Sequence, residues 1–236
     1  MHLEQEAAMR LTKSIFAMSL LALLSGCDNK PPEGRVSYVG PKPAAAPVGQ
    51  VTDQERPVTV PFDKVTLLVP AEVNITVGKP ASLTLHFDEK LLADIRTAVV
   101  SGNLLISTTR RFVNPPLLKI DIVTPTLTGA TIGKKGSMKI EGVSCDRFDG
   151  VVGIEGLIKA AGICNTSTSV INGTGEIDFH DLKCNMADVT ISGAGRVIVN
   201  ASQRLNATIS GSGTARYIGH PKVNKVIVGT GTVAPF

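Results

Sequence analysis

Three clusters and one column of side chains in this sequence of 236 residues could do chemistry. Asp178, His180 and Asp181 sit in the segment Glu176-Ile-Asp-Phe-His-Asp-Leu, and His86 with Asp88 repeats the same spacing of two. On a strand, alternate residues share a face, so Asp178 and His180 project together while Phe179 points the other way. A carboxylate beside an imidazole can run acid–base catalysis, yet such pairs arise readily on the solvent face of any strand. Lys134, Lys135, Lys139 and Lys159 form a basic patch that reads as a solvated face first and a contact for anionic lipid or glycan second. Cys145, Cys164 and Cys184 are separated by 19 and 20 residues and could pair or ligate a metal. No fourth donor accompanies them, so a metal site is not expected. There is no Ser/His/Asp order, Walker loop or dinucleotide fingerprint, and no catalytic residue or cofactor is assigned.

The elements that must hold these groups are strands. Hydrophobic residues make up 43% of the chain but aromatics only 4%, with 23 glycines and 14 prolines. A charged fraction of 19% excludes a disordered chain, and the composition favours a globular β-rich one. A net charge of +4 without aromatic stacking platforms argues against nucleic acid as a partner. Short alternating runs at Lys64–Val69, Val73–Val77, Ser82–Phe87, Asn103–Ser107 and Leu118–Val123 are bounded by Pro, Gly or Asn and predict strands. Leu91–Val100, followed by Gly102-Asn103, predicts one more strand paired through a hairpin turn.

From Ile132 onward the glycines form a ladder. Gly133, Gly153, Gly173, Gly193, Gly211 and Gly229 are 20, 20, 20, 18 and 18 residues apart. Each is followed two or three positions later by a second: Gly136, Gly156, Gly175, Gly195, Gly213 and Gly231. Two positions before the first glycines stand Thr131, Val151, Ile171, Ile191, Ile209 and Ile227. A period near twenty is too short for paired helices and predicts an all-β, parallel β-helix-like solenoid of six short coils over residues 130–236, with strands 58–125 leading into it. The cysteines obey the same ladder, so they occupy equivalent positions in successive coils about 4.8 Å apart, within disulfide reach. Three outcomes are open: a Cys145–Cys164 bond, a Cys164–Cys184 bond, or three reduced thiols facing inward as small apolar residues, the last being preferred.

The tightest copies, Ile191-Ser-Gly-Ala-Gly195 and Ile209-Ser-Gly-Ser-Gly213, resemble the GIN domain of auto-transporter adhesin heads. Phe87-Asp-Glu-Lys-Leu-Leu-Ala-Asp-Ile95 and Gly102-Asn-Leu-Leu-Ile-Ser107 look like that family's first strands. The resemblance covers roughly residues 60–236 and implies a right-handed β-helical fold in a bacterial envelope or surface setting, with no established activity. Gly133-Lys-Lys-Gly136 and Gly153-Ile-Glu-Gly156 depart from the pattern by one extra residue.

The first 26 residues predict a signal peptide. Met9-Arg10-Leu11-Thr12-Lys13 is a short basic region, and Ile15–Leu24 is an apolar run too short to span a bilayer. Leu24-Ser-Gly-Cys27 resembles the lipobox of bacterial lipoproteins, which implies lipidation of Cys27 and anchoring to a membrane. Asp28 and Asn29 resemble the enterobacterial signal that retains a lipoprotein at the inner membrane; the outer membrane is the alternative. Residues 27–57, rich in Pro and Ala, predict a tether, and residues 58–236 the folded domain. The function expected is a non-enzymatic envelope protein that is adhesin-like or a scaffold, with envelope polysaccharide or protein as candidate partner. The alternative is a periplasmic carbohydrate-active enzyme on the same scaffold, which would need carboxylates clustered over adjacent coils.

Overall fold

The runs of Val, Ile and Thr between Pro, Gly and Asn fold as strands throughout. Strand accounts for 67% of the described residues, and a single 3-10 turn at Leu92–Asp94 is their helical part, so the class is all-β. The structure, a computed structural model, describes residues 49–113 and 115–236. Cys27, Asp28, Asn29 and the leader lie outside the described residues.

Coils of about 20 residues stack into a β-solenoid of about five turns. β8 (Gly129–Ile132), β9 (Ser137–Val152), β10 (Leu157–Ile171), β11 (Glu176–Gly193) and β12 (Arg196–Gly211) follow one another with parallel pairing. β13 (Thr214–Ile218) and β14 (Lys222–Gly229) both stack on β12, and β15 (Thr232–Pro235) closes on β13. The long strands bend, with register shifts between Lys159 and Gly162 and between Phe179 and Lys183. Each coil thus has three straight runs, seen in β10 as Leu157–Ala160, Gly162–Cys164 and Thr166–Ile171.

The two glycines of each turn have different jobs. Gly211 takes φ +125°, and a Cβ there would lie 2.5 Å from the carbonyl oxygen of Gly193 one coil back. Gly213 instead makes room: its missing Cβ is filled by Cγ2 of Ile191. The inward column is Ile132, Val152, Ile171, Ile191, Ile209 and Ile227. Ile132 and Val152 directly precede Gly133 and Gly153, so the extra turn residue of the first two repeats is absorbed before the second glycine. Thr131 and Val151 therefore face outward rather than stacking beneath Ile171.

Residues 58–125 do more than lead in. β2 (Lys64–Leu67) lies parallel on β8, and β6 (Asn103–Thr108) lies parallel on β2. Likewise β3 (Glu72–Val77) lies on β9, and β7 (Lys119–Thr124) on β3. These four strands continue the stack, in an order different from their order in the chain. Two antiparallel strands then close its end: β4 (Ser82–Asp88) on β7, and β5 (Ile95–Val100) on β6 through the two-residue turn Ser101-Gly102, both with positive φ. Leu91–Asp94, expected as strand, makes the turn that enters β5. Val51–Glu55, assigned by composition to the tether, is β1, antiparallel on β4. All five of its residues are exposed, so no apolar alternation marks it.

The other end is blunted. Lys225 stacks on Ala207 at an inward position, and β15 ends in Pro235, which has no N–H to donate. An inward charge and a terminal Pro both discourage another strand from adding to the edge.

Between the ends the core includes the edge-to-face pair Phe148 and Phe179, ring centroids 5.6 Å apart. Ser167 and Ser169, in register with Phe148 and Gly150, are the small residues of β10 beside these rings. Their hydroxyls are buried with no hydrogen-bond partner. A buried hydroxyl without a partner costs roughly 1–3 kcal/mol. Ser169→Ala should therefore raise the melting temperature by a few degrees, about 1 kcal/mol or more, whereas a drop would mean the hydroxyl is satisfied.

Candidate functional site

Register sorts the outward side chains into two unlike faces. On the first face, one row runs Asp121, Asn74, Lys139, Lys159, Asp178, Ile198 and Arg216 across seven strands. The lysines of this face are paired with acids within the row or beside it. Lys159 Nζ meets Asp178 at 3.0 Å, Lys139 meets Glu141 at 2.8 Å and Lys135 meets Glu155 at 3.2 Å. Three of the four lysines of the expected basic patch are thus paired with acids on a solvated face. The pairing also raises the Lys159 pKa, chiefly through its hydrogen bond to Asp178.

The two acid–imidazole pairs come apart. Asp178 is held by Lys159 and by the backbone N–H of His180, while His180 Nδ1 turns to Asp181 at 2.8 Å and its ring packs edge-on to Phe236. The coils on either side present Lys159 and Ile198 in register with Asp178, so no second carboxylate stacks on it as a lyase or hydrolase would need. Asp88 is buried and accepts hydrogen bonds from the N–H groups of Gly49 and Lys90, away from His86. His86 is bridged instead by Asp53 of β1, at 2.6 Å, and Asp121 of β7, at 2.9 Å, with Asn74 donating to the other oxygen of Asp121. Spacing within the sequence could not reveal these partners, which come from 33 and 35 residues away.

The hydrogen bond to Asp53, assisted by Asp121 and opposed by partial burial, raises the His86 pKa above its ordinary value of 6.5. A raised folded-state pKa means that protonated His86 stabilises the fold; the contribution is full below the unfolded value and fades as pH rises through the folded one. Amides of β1 should therefore exchange more slowly near pH 5.5 than near pH 8.5 after correction for intrinsic rates, roughly spanning the histidine range. His86→Gln should remove that difference; if β1 protection keeps the same pH dependence in the variant, the bridge is not its cause. Both acids are more than half exposed, so added salt should shrink the effect.

The second face carries almost no charge along its centre. One outward column runs without a break through Ala98, Leu105, Thr66, Thr131, Val151, Val170, Thr190, Thr208 and Val226. Beside it Asp188, Asn206 and Asn224 form an amide ladder, Asn206 donating to Asp188 at 2.8 Å and Asn224 to Asn206 at 3.0 Å. Parallel stacking sets such columns at about 4.8 Å per rung and leaves the surface flat. Val226 and Val228 finish this face 61% and 67% exposed, and the column itself offers solvent hydroxyls and methyls, with the Arg147–Asp149 pair at its flank. Periodicity gave the column's existence; which residues face outward followed only from the bends.

The cysteines lie in the short middle run of their coils. Cys164 is in register with both Cys145 and Cys184, and the disulfide joins Cys164 to Cys184, Cα atoms 4.7 Å apart. Cys145 is half-buried with a free thiol that donates to the carbonyl of Arg147. The preferred expectation of three reduced inward thiols is replaced: adjacent rungs bring two sulfurs within bonding reach.

A parallel β-solenoid closed by antiparallel strands, with one charge-paired face and one whose central column is uncharged, defines a stacked-coil domain. The chain belongs to the family described as "Putative auto-transporter adhesin, head GIN domain", which matches residues 61–221. Among solved structures, a putative adhesin from Bacteroides fragilis is similar at 20% identity with a TM-score of 0.62, over 79% of this chain and 97% of that one. A putative lipid binding protein from Parabacteroides distasonis is similar at 21% identity over 80% of this chain and 97% of that one, TM-score 0.45. The likeness to the B. fragilis protein concerns the fold alone. No curated protein matches.

Proposed function

We propose that this is an adhesin-like, non-enzymatic protein of the bacterial envelope that contacts envelope polysaccharide or protein through the uncharged column of its second face. The observation that carries the reading is the nine-rung column from Ala98 to Val226, without a charged residue. A flat surface of methyls and hydroxyls can be desolvated cheaply and offers donors and acceptors at a regular interval, as an extended repetitive target would. The family's description and the name of the B. fragilis relative favour the same role. In this reading Cys27 carries the lipid, residues 28–48 space the body from the membrane, and Asp28-Asn29 keep it on the inner membrane.

The test uses bacterial envelope fractions, polysaccharide and protein, immobilised separately. Retention of the mature chain should fall at least tenfold in the Thr190→Lys/Thr208→Lys double variant and be unchanged in Lys159→Ala on the other face. Equal retention of all three proteins would overturn the reading. Palmitate labelling that persists in Cys27→Ser would remove the anchor from it.

A further inference from the structure

We propose that Cys145, Cys164 and Cys184 form a thiol–disulfide relay in which the disulfide migrates one rung along the column, so that the free thiol is presented at Cys145 or hidden at Cys184. Three consecutive rungs of parallel strand hold the three residues in mutual register, Cys145 on Cys164 and Cys164 on Cys184. Exchange requires the attacking sulfur to approach from the side opposite the leaving one, and register puts Cys145 one rung from Cys164 on the side away from Cys184.

The step balances without an outside oxidant. The Cys145 thiol gives up its proton, and its thiolate attacks Sγ of Cys164. The Cys145–Cys164 bond forms as the Cys164–Cys184 bond breaks, and the electron pair leaves on Sγ of Cys184, which takes up a proton. One disulfide and one thiol remain.

The two ends of the column differ in access. Cys145 and Cys164 line an open surface cavity of about 390 Å³ with Ser144, Ile163, Asn165 and Asn185. Cys184 is 5% exposed, in the setting of a small apolar core residue. Migration therefore withdraws the thiol from solvent and leaves the disulfide at the surface. The aspartates that act on Cys145, Asp146 and Asp149, are on its own strand, as is Arg147, and the facing stretch of β10, Ile163–Thr168, contributes no charge. Burial, with the two aspartates, holds the Cys145 thiol above its ordinary pKa, so the relay is slow at neutral pH and quickens in alkali.

Dilute mature chain is incubated near pH 6 or near pH 9, roughly bracketing the start of thiol ionisation, then acid-quenched, alkylated in denaturant and mapped by mass spectrometry. The label should sit on Cys145 at the lower pH and divide between Cys145 and Cys184 at the higher, at a rate independent of protein concentration. Cys184→Ser should close a Cys145–Cys164 bond and take no label. In Cys164→Ser both remaining cysteines should be labelled, since two rungs span roughly 9–10 Å, beyond disulfide reach. Label confined to Cys145 at both pH values would overturn the relay, as would exchange proportional to concentration. The wild-type measurement decides the matter even where a variant does not fold.

Discussion

Gly211→Ala should cost roughly 2–5 kcal/mol, the combined scale of a strained backbone and an overpacked contact. Gly211 takes φ +125°, which an L side chain adopts only under strain, and its new Cβ would sit 2.5 Å from the Gly193 carbonyl oxygen. That oxygen cannot step aside, because Ser212 and Thr214 hang from the coil above through bonds to Gly193 and Gly195. At about 2–4 °C per kcal/mol for a domain of this size, the melting temperature should fall by about 4–20 °C. Gly78→Ala is the control: the nearest atom to its Cβ is Val123 Cγ1 at 4.0 Å, and its φ is not left-handed. It should change stability by no more than about 0.5 kcal/mol. If the two variants melt alike, the turn geometry is not what fixes the glycine period.

That period was legible because a parallel stack converts repeat length directly into register. Spacings of 19 and 20 placed Cys145, Cys164 and Cys184 on one column, and the structure has them there. The same regularity is why spacing could not choose the disulfide: both neighbours of Cys164 are one rung away. The inward residue of the first two repeats was misplaced by one because Gly133-Lys-Lys-Gly136 and Gly153-Ile-Glu-Gly156 are a residue longer, and register is held by the second glycine. Nothing local announced β1, whose sequence Val-Thr-Asp-Gln-Glu has no buried side. Its place depends on a ladder to residues 84–88 and on His86 between Asp53 and Asp121, all long-range facts. The stack order of β2, β3, β6 and β7 was hidden for a related reason. Alternation says that a strand has an inner face, not which strand lies above it.

Phe179 provides the other large effect, and a cycle of variants isolates its cause. Its side chain is 1% exposed and meets Phe148 edge-on, so Phe179→Ala should cost about 3–5 kcal/mol through lost transfer energy and a cavity. The ring also occupies the space a side chain at position 150 would need: a Cβ on Gly150 would lie 2.6 Å from Phe179 Cζ. Gly150→Ala alone should therefore destabilise by roughly 1–3 kcal/mol, since a packed ring must move to admit the methyl. With Phe179 already truncated the methyl enters empty space and fills part of the cavity. The double variant should be more stable than the sum of the two losses predicts, by roughly 1–3 kcal/mol, as expected of residues in contact. Denaturant titrations of the four proteins measure that difference. Strict additivity would mean that Gly150 is required by its backbone rather than by the ring, and that the opposite runs of the coil are not fitted to each other through this contact.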